Sequence, residues 1–484
     1  MRMGQIHSAR TAFGAALRID SSFALAALGI ATSGGWADET LSQRMGKDFA
    51  LGWRLRPRLS PSDRALFDAA VGTHNPTDDS DAASLDRWGR AAQLLPARGD
   101  VSYEYGDRLF HVGNYLGVPD ADGQASRAFA FAVAADSSQL VALGHLVELA
   151  IYRGDSASVR RLHRAYALRD SVGDAADYLT WRVALATGDS TSLRSLRARL
   201  PALSRLSLRR ISGMGQLDGI GLVDAELAMM ALANRDMTPH DQARTLYRRH
   251  ALDLNRGRLG AAAERLEELG SLAIGSADEA SSLGDALDLA VIDALFSVGD
   301  LGRAERAVSL LEQSPGSRND GTAQRHACTS DVWRVSHGDT SRTAATLQLL
   351  SAHDAHADSA EYYGWQPRIC IALLQAARTV ARRPEANDLL TRADSLMAAG
   401  VRGYGATFGN LWLARLYGQI GDRTRALRAA SRRRRDWDSG VLYVADADAI
   451  IVTLARATGD SLRADRVAAQ YKSLRGGLPR VLSR

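Results

Sequence analysis

The sequence is poor in what a sheet-rich, disulfide-rich or membrane-spanning protein requires. Proline occurs 11 times in 484 residues, and aromatic residues make up 6%. Alanine, leucine and arginine dominate, and β-branched runs are short. This composition argues against a sheet-dominated chain and predicts helix nearly throughout. Cysteine occurs twice, at Cys328 and Cys370, outside any CxxC or Cys/His metal spacing. Two cysteines so far apart predict no disulfide framework. Lysine is confined to Lys47 and Lys472, so 58 of the 60 basic residues are arginine. Such a bias reads as GC-rich coding rather than as an adaptation to phosphate. No stretch approaches the ~18 apolar residues of a membrane span. The segment Phe23–Ala31, FALAALGIA, has the look of a short signal-peptide core, but Asp20 and an amphipathic lead-in precede it. That context suits a secretion signal poorly. The cytoplasm is therefore the default compartment, with an extracytoplasmic origin as the alternative.

Catalytic motifs are equally scarce. The chain has no GxxxxGK, no HExxH and no GxSxG. Gly213–Gly219, GMGQLDG, lacks dinucleotide-loop spacing and follows a probable helix, so it reads as an interhelical turn. His353, Asp354, His356 and Asp358 are metal-capable types, with His326, Cys328 and His337 upstream. Their surroundings read as a polar connection between helices, and a metal site needs three or four convergent ligands. His111, His145, His163 and His250 are scattered and read as packed or surface helix residues. Glu264, Glu267 and Glu268 have the spacing of a charged outer helix face. These observations predict no catalytic residue, no cofactor and no metal.

What the chain does contain is a recurring Gly-Asp pair. It falls at Gly154, Gly188, Gly299, Gly338, Gly421 and Gly459, each followed by aspartate, and four more pairs, starting at Gly99, Gly106, Gly173 and Gly284, lie off this spacing. Related turns near Gly257 and Ala381 fill two gaps in the series. The physics of the pair is simple. Glycine ends a helix because it alone enters the left-handed C′ conformation without penalty. Aspartate then caps the next helix by accepting backbone N–H bonds. Each pair is a stop followed by a start, at a period expected of two-helix repeats. In the N-terminal third, residues 12–31 and 128–150 share a further pattern: helix, Asp-Ser-Ser turn, helix. That reading explains FALAALGIA without secretion. Ser60-Pro61 starts another helix, and an insertion is expected near residues 113–123.

Leu413, Ala414, Tyr417 and Ala426 resemble the tetratricopeptide repeat pattern in register, with Ala430 where an aromatic is usual. Val291, Leu295, Ala304 and Val308 hold equivalent places, as do Ile451, Ala455, Ala464 and Ala468. The chain as a whole resembles repeat regions attached to bacterial serine/threonine kinases and transcriptional regulators. The resemblance implies an all-α, right-handed solenoid of about a dozen stacked antiparallel helix pairs. Residues 1–137 would form divergent N-terminal repeats and residues 138–484 the regular solenoid. The chain starts almost inside a helix, which suggests the back half of a longer ancestor or an uncapped end that self-associates.

The family's usual role implies a protein-interaction scaffold, not an enzyme, with a protein or peptide held in a concave groove. The groove positions here would be Glu148, Tyr152, Tyr178, Arg182, Tyr247, Asp293, Arg415 and Gln419. Two other functions compete with this one. Residues 401–484 hold 16 Arg or Lys against 7 Asp or Glu, densest at Arg432–Arg435, which raises a DNA-associated regulator. No aromatic interleaving or reading helix accompanies the cluster, so nucleic acid is the weaker partner. The third reading is an enzyme with its site assembled across the groove.

Overall fold

The structure is a computed structural model. It describes residues 6–33, 50–72, 81–170, 173–214, 221–235, 237–272, 283, 286, 287, 290, 291, 301–313, 322–354, 367–380, 382–400, 404–432 and 444–475. These residues are helical or in turns, with no strand among them. The chain divides into two compact units, Met1–Asp189 and Ser190–Arg484.

The first unit contains α1 (Ile6–Ile19), α2 (Ala24–Ser33), α3 (Pro61–Val71), α4 (Asp81–Leu94), α5 (Gly99–Arg108), α6 (Ala121–Ala135), α7 (Leu140–Tyr152), α8 (Ser156–Ala167) and α9 (Asp174–Thr187). A short π-helix, Leu109–Gly113, continues α5. Each helix packs on the next in sequence, and α7 also meets α9. Leu109, Phe110, Phe129, Leu143, Val147, Val159 and Leu179 join the α5–α9 segment into one core. The second unit contains α10 (Ser190–Arg199), α11 (Arg205–Ser212), α12 (Leu222–Ala233), α13 (Pro239–Asn255), α14 (Leu259–Ser271), α15 (Leu301–Gln313), α16 (Thr322–Ser336), α17 (Thr343–Asp354), α18 (Pro367–Thr379), α19 (Arg383–Gly400), α20 (Tyr404–Gln419), α21 (Arg423–Ser431), α22 (Val444–Ala457) and α23 (Ser461–Arg475). Most sequence neighbours pair here too, and α16 and α20 each also pack on α18. Among the described residues α13 also touches α22. The chain is thus an all-α helical repeat protein.

The glycine turns explain the succession of helices. Gly154, Gly188, Gly257, Gly338, Gly421 and Gly459 all have left-handed φ, between 68° and 88°. In each turn the N–H after the glycine reaches the carbonyl five residues back, at 2.8–3.0 Å, which closes the preceding helix. Aspartate then starts the next one. Asp155, Asp422 and Asp460 accept the backbone N–H three residues on, at 3.0, 2.9 and 3.1 Å. Asp339 closes a tighter turn, accepting from Ser341 N at 3.0 Å. The Asp-Ser-Ser turns also match each other. Ser22 N donates to Asp20 at 2.8 Å, and Ser138 N to Asp136 at 2.9 Å. Gly299, Ala381 and most of the 213–219 segment lie outside the described residues, as do His356 and Asp358.

Packing follows the small-residue pattern. Leu413, Ala414, Tyr417, Ala426 and Ala430 are all buried, as are Ile451, Ala455, Ala464 and Ala468. Val291, Ala304 and Val308 are buried as well; Leu295 is outside the described residues. Alanine at these contacts lets helix backbones approach closely. The charged face of α14 is exposed at Glu264, Glu267 and Glu268.

One expectation is corrected. Cys328 on α16 and Cys370 on α18 are fully buried, with Cα atoms 6.0 Å apart, and form a disulfide. Both helices pack on α17, which brings together two residues that the sequence keeps far apart. Closing a loop of this length is worth about 2–4 kcal/mol. The paired variant C328A/C370A should lose stability in that range in urea unfolding, and dithiothreitol should affect the wild-type chain but not the variant.

The cap at Asp422 gives a second test. Burial by itself raises this carboxyl, but the Arg425 N–H and guanidinium outweigh it and hold the group below the ordinary aspartate range. Its contribution is therefore present above pH ~4 and lost as the pH falls through the depressed value. Asp422→Ala should cost about 1 kcal/mol near neutral pH. Asp422→Asn, which still caps, should stay near wild type and show a flatter acid limb in melts between pH 2 and 6.

Candidate functional site

The most concentrated chemistry in the described residues lies inside the first unit. α5 carries Asp107, and the π-helix after it carries His111. His145 and Glu148 stand one turn apart on α7, and Tyr178 and Arg182 one turn apart on α9. A π-turn shifts the residues beyond it relative to an α-helical face, a device frequent at functional sites. Here it falls at the residues that include His111. Gly106 allows the close approach of α6, since a Cβ there would lie 3.0 Å from the Phe129 ring and 3.1 Å from Ala128 Cβ.

The polar groups converge on one carboxylate. Asp107 Oδ1 lies 3.4 Å from His111 Nε2 and 3.4 Å from His145 Nε2. Neither approach is a hydrogen bond; Asp107 Oδ1 and His145 Nε2 are buried without a hydrogen-bond partner. The other ring nitrogen of His145, Nδ1, lies 3.0 Å from Glu148 Oε2. Tyr178 Oη donates to Glu148 Oε1 at 3.1 Å. The His145 ring stacks on Phe129, with centroids 5.0 Å apart, and lies 4.5 Å from the Phe110 centroid. The Arg182 guanidinium sits 5.9 Å from the centre of the Tyr152 ring.

Electrostatics bind the cluster together. Burial by itself raises the Asp107 carboxyl, but the two imidazoles outweigh it and hold the group far below the carboxylate range. For His145, burial works against the charged form, and the two flanking carboxylates reverse this and push it up to about 9. Burial also works against the Glu148 carboxylate, which His145, Arg182 and Tyr178 together keep below its ordinary value. Tyr178 goes the other way, driven well up by burial and by the Glu148 charge. The cluster is a buried alternation of positive and negative charge in an aromatic shell.

The positions expected to line a groove fall into different environments. Glu148, Tyr178 and Arg182 are buried, at 5%, 7% and 2% exposure, and Glu148 and Tyr178 bond each other in this interior cluster. Tyr152 is half-buried beside them. Tyr247 packs against the Ala243–Leu269 core of the second unit. Arg415 is half-buried over the Trp412 ring, Gln419 is exposed, and Asp293 lies outside the described residues. His145 and His250 are packed, as their sequence setting suggested. The convergence of His111 and His145 on Asp107 was not foreseen. Its only sequence trace is two helical spacings, Asp107 with His111 and His145 with Glu148.

Elsewhere, Arg432 is tied to Asp394 at 2.5 Å, and Arg433–Arg435 lie outside the described residues. Two shallow clefts lie in the second unit. One is lined by Arg205, Arg209, Arg244 and Arg248 with Met229 and Met237, and includes Asp241. The other, about 110 Å³, is lined by Arg249, Arg258 and Arg265 with Asp253 and Glu226.

No family model matches the chain, and comparison with curated proteins yields no match. Solved helical proteins align with most of it. Yeast Tom70 does so at 14% identity over 94% of this chain and 96% of its own, with a TM-score of 0.27. The tetratricopeptide domain of P58(IPK) does so at 10% identity over 86% and 93%, with a TM-score of 0.19. The Naa15/Naa10 assembly bound to HypK-THB aligns at 16% identity over 90% of this chain, with a TM-score of 0.22. The chain spans 62% of that last neighbour's length. The helical-repeat class rests on this chain's own helix pairs.

The cluster makes a definite demand on Tyr178. Removing its hydroxyl leaves one oxygen of a buried carboxylate short of a donor. Tyr178→Phe should cost about 1–3 kcal/mol in urea unfolding.

Proposed function

We propose that this chain is a non-enzymatic protein-interaction scaffold, serving a bacterial signalling or transcriptional regulator carried on a separate chain. The observation that carries the reading is the cleft between α11, α12 and α13. Its walls combine two methionines with four arginines, of which Arg205 and Arg209 pair with Asp241. Arginine supplies forked donors for carboxylates, and methionine adapts its shape to an apolar neighbour. That chemistry fits an acidic protein segment with apolar residues interspersed. The helix-pair architecture supports it, since stacked pairs present extended surfaces without enclosing a reaction chamber. The tetratricopeptide-like register of α20–α23 agrees with a binding role, though a fold alone does not determine function.

Tyr152, Arg415 and Gln419 are further contact candidates on other helices. The DNA-associated alternative is weakened by the pairing of Arg432 with Asp394. The disulfide between α16 and α18 supports an oxidising compartment over the cytoplasm, because intracellular thiols are normally kept reduced.

Cross-linking mass spectrometry on the tagged full-length chain in its native cells tests the proposal. Cross-links from an acidic segment of another protein to residues near the 205–248 cleft are expected. Charge reversal at Arg244 and Arg248 should reduce that capture at least tenfold with the helical content unchanged. Capture that is indifferent to the reversal would contradict the proposal. Cross-links only between copies of this chain would replace the partner with self-association.

A further inference from the structure

The interior of the first unit has the geometry of an unrecognised metal site. Asp107 Oδ1, His111 Nε2 and His145 Nε2 lie within 4.8 Å of one another. Asp107 sits 3.4 Å from each imidazole nitrogen. Zinc bonds of 2.0–2.1 Å to nitrogen and oxygen place neighbouring ligand atoms of a tetrahedron about 3.3–3.4 Å apart. The two separations from Asp107 match that spacing, and neither meets hydrogen-bond geometry. We propose that Asp107, His111 and His145 bind a divalent transition-metal ion, zinc by preference, in a three-ligand site with one position left open.

Three observations carry this beyond proximity. First, Asp107 Oδ1 and His145 Nε2 are side-chain atoms with no hydrogen-bond partner, on side chains only 2% and 6% exposed. Buried polar atoms without hydrogen-bond partners are rare, and these two lie 3.4 Å from each other. Second, the outer support of a metal-bound histidine is present. The far nitrogen of His145 meets Glu148, and Glu148 is held by Tyr178. A carboxylate behind the imidazole fixes its tautomer and orients the ring toward the ion. Third, the shell is apolar where it should be. Phe110 and Phe129 flank the His145 ring and limit water. His111 is the most exposed ligand, at 11%, and marks the side from which an ion enters.

The ligand set defines the metal class. Two neutral imidazoles and one carboxylate suit zinc, cobalt or iron rather than calcium or magnesium, which prefer all-oxygen sites. The site does not depend on the partner-binding cleft, which belongs to the second unit.

Cobalt(II) added to the chelator-treated full-length chain tests the assignment. Uptake of about one ion per chain is expected, with visible d–d absorption of a four-coordinate N/O site, and zinc should displace the cobalt. Metal should also raise the melting temperature of the wild-type chain. Asp107→Asn and His145→Gln should abolish tight uptake. Glu148→Gln, which disturbs only the support behind His145, should weaken it by about 10–100-fold. Wild-type protein that is folded but takes up no stoichiometric metal would overturn the proposal, whatever the variants do. Uptake that persists unchanged in folded Asp107→Asn would overturn it equally, by locating the ion elsewhere.

Discussion

The structure depends on a repeated backbone event: a left-handed glycine closes one helix, and the next residues open another. At Gly154, Gly257, Gly338, Gly421 and Gly459 the new helix lies against the old one. The reversal is local, so a helix's first neighbour is usually its successor in sequence. The turn at Gly421-Asp422 shows the economy of the device. Glycine takes a φ of 87°, Asp422 N–H closes the helix behind it at Tyr417, and the Asp422 side chain caps the helix ahead. Arg425 then reaches from the cap to the Tyr417 ring and to Asn387 on α19. One short turn thus ties three successive helices together.

The interior of the first unit obeys a different rule. A core assembled from alanine and leucine is tolerant, because apolar contacts are non-directional. The cluster of Asp107, His145, Glu148, Tyr178 and Arg182 is not tolerant. Burying charged groups is costly unless each finds an opposite charge or a donor. The pairings here cross from α5 to α7 and from α7 to α9, so they register helices that the apolar contacts alone would leave free to slide. Whatever else it binds, the cluster gives this unit a specific arrangement.

The fold was more legible in the sequence than the site. Left-handed glycine and capping aspartate leave a local signature, which is why Gly154, Gly188, Gly257, Gly338, Gly421 and Gly459 could be read without coordinates. The buried register of Leu413, Ala414, Tyr417 and Ala426 was legible for the same reason: helix periodicity is short-range information. The polar cluster is assembled from residues 107 to 182, and no periodicity announces that three helices will point their charged groups inward. Glu148, Tyr178 and Arg182 drew notice as groove residues because counting back from the glycine turns puts them at outward positions of the resembled repeat, and such a count does not say which helices will cover them. The Cys328–Cys370 bond was hidden likewise, since sequence separation says nothing of distance across α17. Spacings such as Asp107-x-x-x-His111 and His145-x-x-Glu148 were the available hints, and they acquire meaning only together.

The central claim is that stability is organised turn by turn, with each glycine stop supporting the pair it divides. Hydrogen exchange on Gly421→Ala, read by mass spectrometry across the chain, tests it most directly. The account predicts lost protection in α20 and α21, weaker loss in the adjoining α19 and α22, and unchanged exchange between residues 81 and 187. Uniform loss of protection along the whole chain, or none around residue 421, would contradict it.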